Sequence, residues 1–279
     1  MADSHGGNRL GLLNPATTLE MEDEAGQLVP WTPSRTEVAR YLWDLYVLDL
    51  DNCIALADGD EITVLHVGDV TQGKRYADAW VSTRMADQFV IAEDNLAPWF
   101  EYENVKVVRL IKGTGSHVFG EGSGEILVAR ALQQRFPDRD VKAMYHGWLD
   151  VAGVRVDAAH HGPGPGIRDW TSGNQMRYYM KSLADTEYKR GRWPPRLVLR
   201  AHYHTWKRET VRDTLGGEPW QGDIMLVPSY CGMGDYARRA TRSAWVQVHG
   251  LVAFEIAYGK LIEVHPFVHE LDLRTEEVV

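Results

Sequence analysis

Carboxylate and imidazole side chains gather in five short clusters along this chain: Asp3-Ser4-His5, Gly68-Asp69, Gly115-Ser116-His117, His160-His161-Gly162 and His202-Tyr203-His204. Each of the last four closes an apolar run, namely residues 62–67, 105–111, 154–159 and 196–201. Short apolar runs without polar alternation are the pattern of parallel strands buried on both faces. Strands of that kind carry their ligand sites on the loops at their carboxyl ends. One repeated feature therefore constrains both the fold, an α/β sheet, and the place where its chemistry lies.

The segments between the runs supply the helices. Ser34-x-x-Glu37 after Pro33 has the form of a capping box, and Val38, Tyr41, Leu42, Leu45 and Leu48 follow at helical spacing until Gly59. Helices are also predicted from Tyr76 to Leu96, with Trp80, Met85, Phe89 and Val90 for the buried face, from Ser123 to Phe136, and from Trp170 to Ala184. The last third changes character. Residues 224–227, 244–248, 251–257 and 261–264 are short β-prone runs separated by turn residues, so residues 205–279 read as an antiparallel meander completing a second sheet. A single domain over 1–279 is expected, with no internal repeat.

Composition removes several classes. A net charge of -9 opposes non-specific coating of nucleic acid. It leaves a nuclease open, because bound divalent cations reverse the local sign where a phosphate must sit. The two cysteines, Cys53 and Cys231, are too few for a disulfide framework. No stretch nears the ~18 apolar residues of a membrane helix, and no secretory leader is visible, so the expected compartment is the cytoplasm.

Carboxylates and imidazoles without thiolates suit Mn, Fe, Zn or Ni, with manganese foremost, whereas a pure Mg site would show more oxygen ligands. Each cluster alone has an ordinary reading. Gly-Asp is common in turns, and His-x-His places two side chains on one face of a strand. The doublet His160-His161 before Gly162-Pro163-Gly164-Pro165-Gly166 is harder to explain by packing. His66, inside a strand, reads as a core or supporting residue, and His146, His249, His265 and His269 fall outside the clusters.

In their order the clusters resemble the motifs of the calcineurin-like metallophosphoesterases: Asp-x-His, Gly-Asp, Gly-Asn-His, a lone His and Gly-His-x-His. The resemblance spans residues 3 to 204 and extends to a Gly-Thr-x-x-His variant of phage and prophage members in Gly113-Thr114-Gly115-Ser116-His117. It implies a four-layer α/β/β/α sandwich and hydrolysis of phosphate esters, phosphodiesters and DNA included, by a hydroxide held between two divalent cations roughly 3.5–4 Å apart. By position, Asp3, His5 and His204 would hold one metal; His160, His202 and Ser116 the other; Asp69 would bridge. His117 would act on the phosphate or the leaving oxygen, and Arg9 and His161 would contact the substrate. Arg238 and Arg239 are further candidates for the phosphate.

Two departures qualify the likeness. Ser116 stands where the family carries Asn, with Thr114 as the substitute if the Gly-Thr variant applies. Only Met1 and Ala2 precede Asp3, where the family has a full central strand, so the expectation is a truncated start or a sheet lacking its first strand. The alternative is a degenerate domain of the same fold that binds a partner without catalysis. A metallo-β-lactamase fold is disfavoured, because His202-Tyr203-His204 is followed by Thr205-Trp206 and not by Asp-His.

Overall fold

The computed structural model describes residues 1–117, 124–166, 168–234 and 246–277. Ser123, the Ala244–Trp245 start of an expected strand, and Arg238 and Arg239 lie outside them. The chain is mixed α/β, with four α-helices and several sheets among the described residues.

In chain order, a small hairpin of β1 (Leu19–Glu22) and β2 (Leu28–Trp31) leads into α1 (Glu37–Ala57) and β3 (Ile62–His66). Then come α2 (Met85–Leu96), β4 (Val105–Ile111), α3 (Gly124–Arg135), β5 (Asp140–Met144), β6 (Gly147–Val151) and β7 (Val154–Ala158). The remainder is α4 (Asn174–Lys189), β8 (Leu197–Arg200), β9 (Lys207–Leu215), β10 (Glu218–Leu226), β11 (Val246–Ala257) and β12 (Lys260–Asp272). β3, β4 and β5 form one parallel sheet. A second sheet has the order β6-β7-β8-β10-β9, its three inner strands parallel and its two edges antiparallel. β11 and β12 form a separate ribbon. The expected meander is thus divided: β9 and β10 complete the second sheet, while β11 and β12 pair with each other.

Side-chain alternation explains how the layers meet. In β8, Leu197 and Leu199 join one buried cluster with Ala2, Val67, Ile111, Ala158, Met225 and Val252, so this core takes side chains from both larger sheets. Val198 points the other way, to Met176, Met180 and Ala184 of α4. A third cluster sets α1, α2 and α3 on Val64, Val108 and Leu110. A strand buried on both faces has no polar alternation, and burying each Leu or Val contributes ~1.5–3 kcal/mol relative to exposure.

Residues 1–6 run alongside β3. The Met1 ammonium donates to the Leu65 carbonyl at 3.0 Å, Val67 N–H to Met1 at 2.8 Å, and Asp3 N–H to Gly68 at 3.0 Å. This is parallel pairing alongside β3. Met1 joins the helix-side cluster and Ala2 the inter-sheet cluster, as strand alternation requires. Two residues, Met1 and Ala2, therefore occupy the strand position that leads into Asp3.

Several element boundaries differ from expectation for local reasons. α1 starts at Glu37, where Thr36 Oγ1 accepts from Ala39 N–H at 3.1 Å, so the cap is Thr36 and not Ser34. Its buried face carries Leu42, Trp43, Tyr46, Leu50 and Cys53, and Leu48 is exposed. The helix expected from Tyr76 begins only at Met85, because Tyr76 adopts a left-handed backbone and Ala77–Ala79 is a single 3-10 turn. Met85 and Val90 are exposed, with Ile91, Ala92 and Leu96 buried instead. α4 runs from Asn174 to Lys189, later than expected at both ends. No helix among the described residues is long and apolar enough to cross a membrane.

Candidate metal centre

The carboxyl ends of four strand positions and the β4 loop converge. Asp3 follows the Met1–Ala2 segment, Asp69 follows β3, Thr114 follows β4, His160 follows β7 and His202 follows β8. Possible ligand atoms assemble into three overlapping groups: Asp3 with His5 and His204, Asp69 with His160 and His202, and His5 with Asp69 and His117. Asp69 belongs to two of the groups, and so does His5.

The distances describe a carboxylate pair ringed by imidazoles. His160 Nε2 lies 3.0 Å from Asp69 Oδ2 and 3.8 Å from Asp3 Oδ1. His204 Nε2 is 3.4 Å and His5 Nε2 3.8 Å from the same Asp3 oxygen, and His117 Nε2 is 3.9 Å from Asp69 Oδ2. Asp3, Asp69, His5 and His160 are buried; Asp3 Oδ1 and both His5 ring nitrogens make no hydrogen bond, and His160 Nε2 has only its ion-pair approach to the two carboxylates. Buried polar atoms without partners are costly, and native folds rarely tolerate them. Several of them face one small volume together with carboxylate and imidazole neighbours, a donor set that could hold a metal ion.

The backbone supports the same reading. Asp3, His5, Asp69, His202 and His204 all have positive φ, between 43° and 76°. Left-handed geometry at non-glycine residues is strained and clusters where function demands it. Neighbouring glycines leave the required room. A Cβ on Gly68 would strike the His160 ring, and one on Gly113 would strike the Asp69 carboxylate. Gly115, part of the motif, has nothing within 4 Å of such a Cβ.

Outer hydrogen bonds orient the ring. His160 Nδ1 donates to the Val67 carbonyl at 2.7 Å and His117 Nδ1 to the Gln72 carbonyl at 2.5 Å, since a carbonyl only accepts. Both rings are thereby left with Nε2 toward the centre. Thr114 clamps Asp69, its N–H 2.6 Å from Oδ1 and its Oγ1 3.1 Å from each carboxylate oxygen. Ser116 Oγ lies 3.1 Å from Thr114 Oγ1, one step further out, so Thr114 is the closer of the two to the bridging position. His202 N–H donates to Asp3 Oδ2 at 3.2 Å, tying the β8 loop to the start of the chain.

Charge follows from this packing. Burial alone would raise the Asp3 and Asp69 pKa values, but the adjoining imidazoles, His204 and His160 for Asp3 and His160 foremost for Asp69, outweigh it and hold both carboxyls well below the usual range. Burial opposes a charge on His160, but Asp3 and Asp69 raise its pKa to about 9. His204 is raised against burial by Asp3. Burial and then His5 lower His117 to about 4, and burial with His160 lowers His161 and His202.

The remaining predicted residues stand apart from the buried centre. His161 is exposed, its ring edge-on to His160 and His202 with centroids 5.1 and 4.7 Å away. Arg9 is exposed and its Nε donates to the Trp80 carbonyl at 2.8 Å. His66 is a supporting residue, its Nε2 3.0 Å from Ser4 Oγ between the first two clusters, and burial pushes its pKa down to about 3. His146, given no role from sequence, lies 3.0 Å from Asp157, which pairs with the buried Arg200 at 2.6 Å beneath Gly162. Asn8 and Gln72 were also missed: Asn8 Nδ2 donates to Gln72 Oε1 at 2.8 Å, fixing the residue that holds His117. A fourth acid and histidine group, Glu255, Glu263 and His265, sits on the β11–β12 ribbon with both carboxylates exposed.

No family model matches the chain, and no match was found among curated proteins.

Proposed function

We propose that this protein is a dinuclear metal-dependent phosphoesterase, acting on phosphodiesters foremost, in a four-layer α/β/β/α sandwich. The fold reading rests on the three cores: helices on one sheet, side chains of both sheets between, and α4 on the far face. The functional reading rests on one observation above the others. Buried ligand atoms of Asp3 and His5 that make no hydrogen bond gather with His160 about the carboxylate of Asp69, which Thr114 holds in place.

Asp3, His5 and His204 would hold one cation and His160 and His202 the other, with Asp69 shared between them and Ser116 within reach through Thr114. Two divalent cations so held supply Lewis acidity toward a phosphate and lower the pKa of water. The chain's own residues do the rest. The carboxylates offset the positive charge, and the Val67 and Gln72 carbonyls keep the His160 and His117 rings turned inward. With its pKa near 4, His117 is neutral at rest and offers Nε2 as an acceptor. An anionic phosphate at the site would favour uptake of a proton from solvent by Nε2, and the ring would then pass that proton to the leaving oxygen. Outside this ring, Lys112 lies over the exposed Tyr145 ring at 4.6 Å and Arg168 over the exposed Trp170 ring at 5.6 Å, pairs suited to phosphates that carry flat groups.

The test is hydrolysis of bis-p-nitrophenyl phosphate and of the monoester analogue after loading with manganese. Metal-dependent turnover, faster on the diester, is expected. A folded, metal-loaded protein that cleaves neither substrate would leave the non-catalytic binding domain as the better account.

A further inference from the structure

The opposite end of the second sheet carries a separate cavity of about 760 Å³. It lies where β7 and β10 begin, beside the chain entering β8 and the β11–β12 turn. From Arg155 to His160 is five residues of extended chain, roughly 16 Å at ~3.3 Å each, so the cavity is remote from the metal centre. Its volume falls in the range of small-ligand sites, ~300–1,000 Å³.

The lining is unusual for this chain. Arg155, Arg192, Arg196 and Lys260 face one carboxylate, Asp150, in a protein whose net charge is -9. Three tryptophans, Trp148, Trp193 and Trp220, share the same wall. The Trp148 ring is flanked by the Arg155 and Arg192 guanidinium groups, 5.6 and 5.5 Å from its centroid. Trp193 is half exposed and Gln221 adds an amide. The arginines are braced: Arg155 by Asp150 at 3.5 Å, Arg192 by Glu187 at 2.7 Å and Arg196 by Asp223 at 2.6 Å. A guanidinium has five N–H donors, so bracing leaves others free for an anion. Lys260 makes no ion pair among the described residues.

We propose that this cavity binds nucleotide units, a base stacking on Trp193 and its phosphates meeting Lys260, Arg192 and Arg196. Indole platforms set among cations are the chemistry of single-stranded nucleic-acid grooves, where every base offers a π-face and the backbone supplies the charge. An acidic peptide would use the cations and leave the tryptophans idle, so the rings favour a base. The site is independent of the metal centre and stands or falls without it.

The experiment is fluorescence anisotropy of a labelled ten-residue oligothymidylate against the full chain in EDTA, with thymidine monophosphate and a polyglutamate peptide as competitors. Saturable binding is expected, with affinity falling as salt rises by about 0.7 log units per log unit for each phosphate neutralised. Trp193→Ala should weaken it roughly 5- to 150-fold with little change in that slope. Lys260→Ala should make the slope shallower by about 0.7. Both variants should keep the wild-type melting temperature, metal content and bis-p-nitrophenyl phosphate turnover. An oligonucleotide far tighter than the monophosphate assigns the cavity to a strand, equal affinities assign it to free nucleotides, and either supports the proposal. No saturable binding, binding indifferent to both substitutions, or equal competition by polyglutamate overturns it.

Discussion

Two buried aspartates of this molecule sit among histidines and end in opposite states. Asp49, on α1, has both oxygens engaged: Tyr230 Oη donates to Oδ2 at 2.6 Å, and His269 Nε2 lies 2.8 Å from Oδ1. Asp3 is equally buried and has three imidazole nitrogens within 3.8 Å, yet its Oδ1 has no hydrogen bond. Asp49 belongs to an ordinary helical turn, whereas Asp3 is held at φ 49°. The contrast separates a carboxylate whose oxygens are satisfied within the fold from one whose Oδ1 is not. Buried polar groups nearly always find hydrogen-bond partners, so the exception at Asp3 calls for an explanation that Asp49 does not.

The largest effect is expected of Asp69→Asn. Losing the shared carboxylate should abolish metal-dependent turnover and most metal uptake, read by elemental analysis, with the fold intact by circular dichroism. Next, His117→Ala should lower kcat by ~10²- to 10⁴-fold while metal content stays unchanged, because the ring acts on protons. Thr114→Val should weaken metal binding by ~10- to 100-fold, the cost of removing an orienting partner, as measured by chelator competition. Ser116→Ala, one bond further out, should cost less than Thr114→Val.

Stability measurements sharpen the other half. Tyr230→Phe removes one partner of Asp49 and should lower unfolding free energy by ~1–3 kcal/mol without changing metal content. Saturating manganese should stabilise the wild type and Tyr230→Phe alike, by ~2.7 kcal/mol at a hundredfold excess over Kd, and leave Asp69→Asn unmoved.

The smallest effects are in pH. Burial lowers His249 to about 4 and His66 to about 3, while an unfolded imidazole titrates near ~6.5. The unfolded chain therefore takes up protons first. Their contribution to stability is complete above ~6.5 and is lost as pH falls through that value toward the folded ones. His249→Gln should flatten part of that slope in melting curves between pH 7 and 4. Metal affinity should run the same way over a higher range: a proton on His160, with pKa about 9, competes with a cation, so affinity should rise with pH up to that value.

Much of the centre was legible in the sequence because its signals were local. A strand followed by Gly-Asp or by paired histidines states both the element and the place of the side chain, and Asp3, His5, Asp69, His117, His160, His202 and His204 do come together. What was not legible depends on residues far apart in the chain. From sequence, Thr114 is only a stand-in for the family's Asn; that it clamps Asp69 depends on the Asp69 loop passing beside it, and Gln72 matters because its backbone carbonyl, not its side chain, holds His117. The same limit hid the Trp148 and Trp193 cavity, assembled from β6, β7, β10 and two connecting segments. Element starts such as Met85 were missed because a 3-10 turn and a left-handed Tyr76 interrupt an otherwise helical pattern.

The most direct measurement is metal stoichiometry by elemental analysis after manganese loading and removal of free metal, with wild type and Asp69→Asn side by side. A dinuclear site should give about two ions per wild-type chain and fewer than one in Asp69→Asn. Near-zero metal in the folded wild type, or equal metal in both proteins, would contradict it.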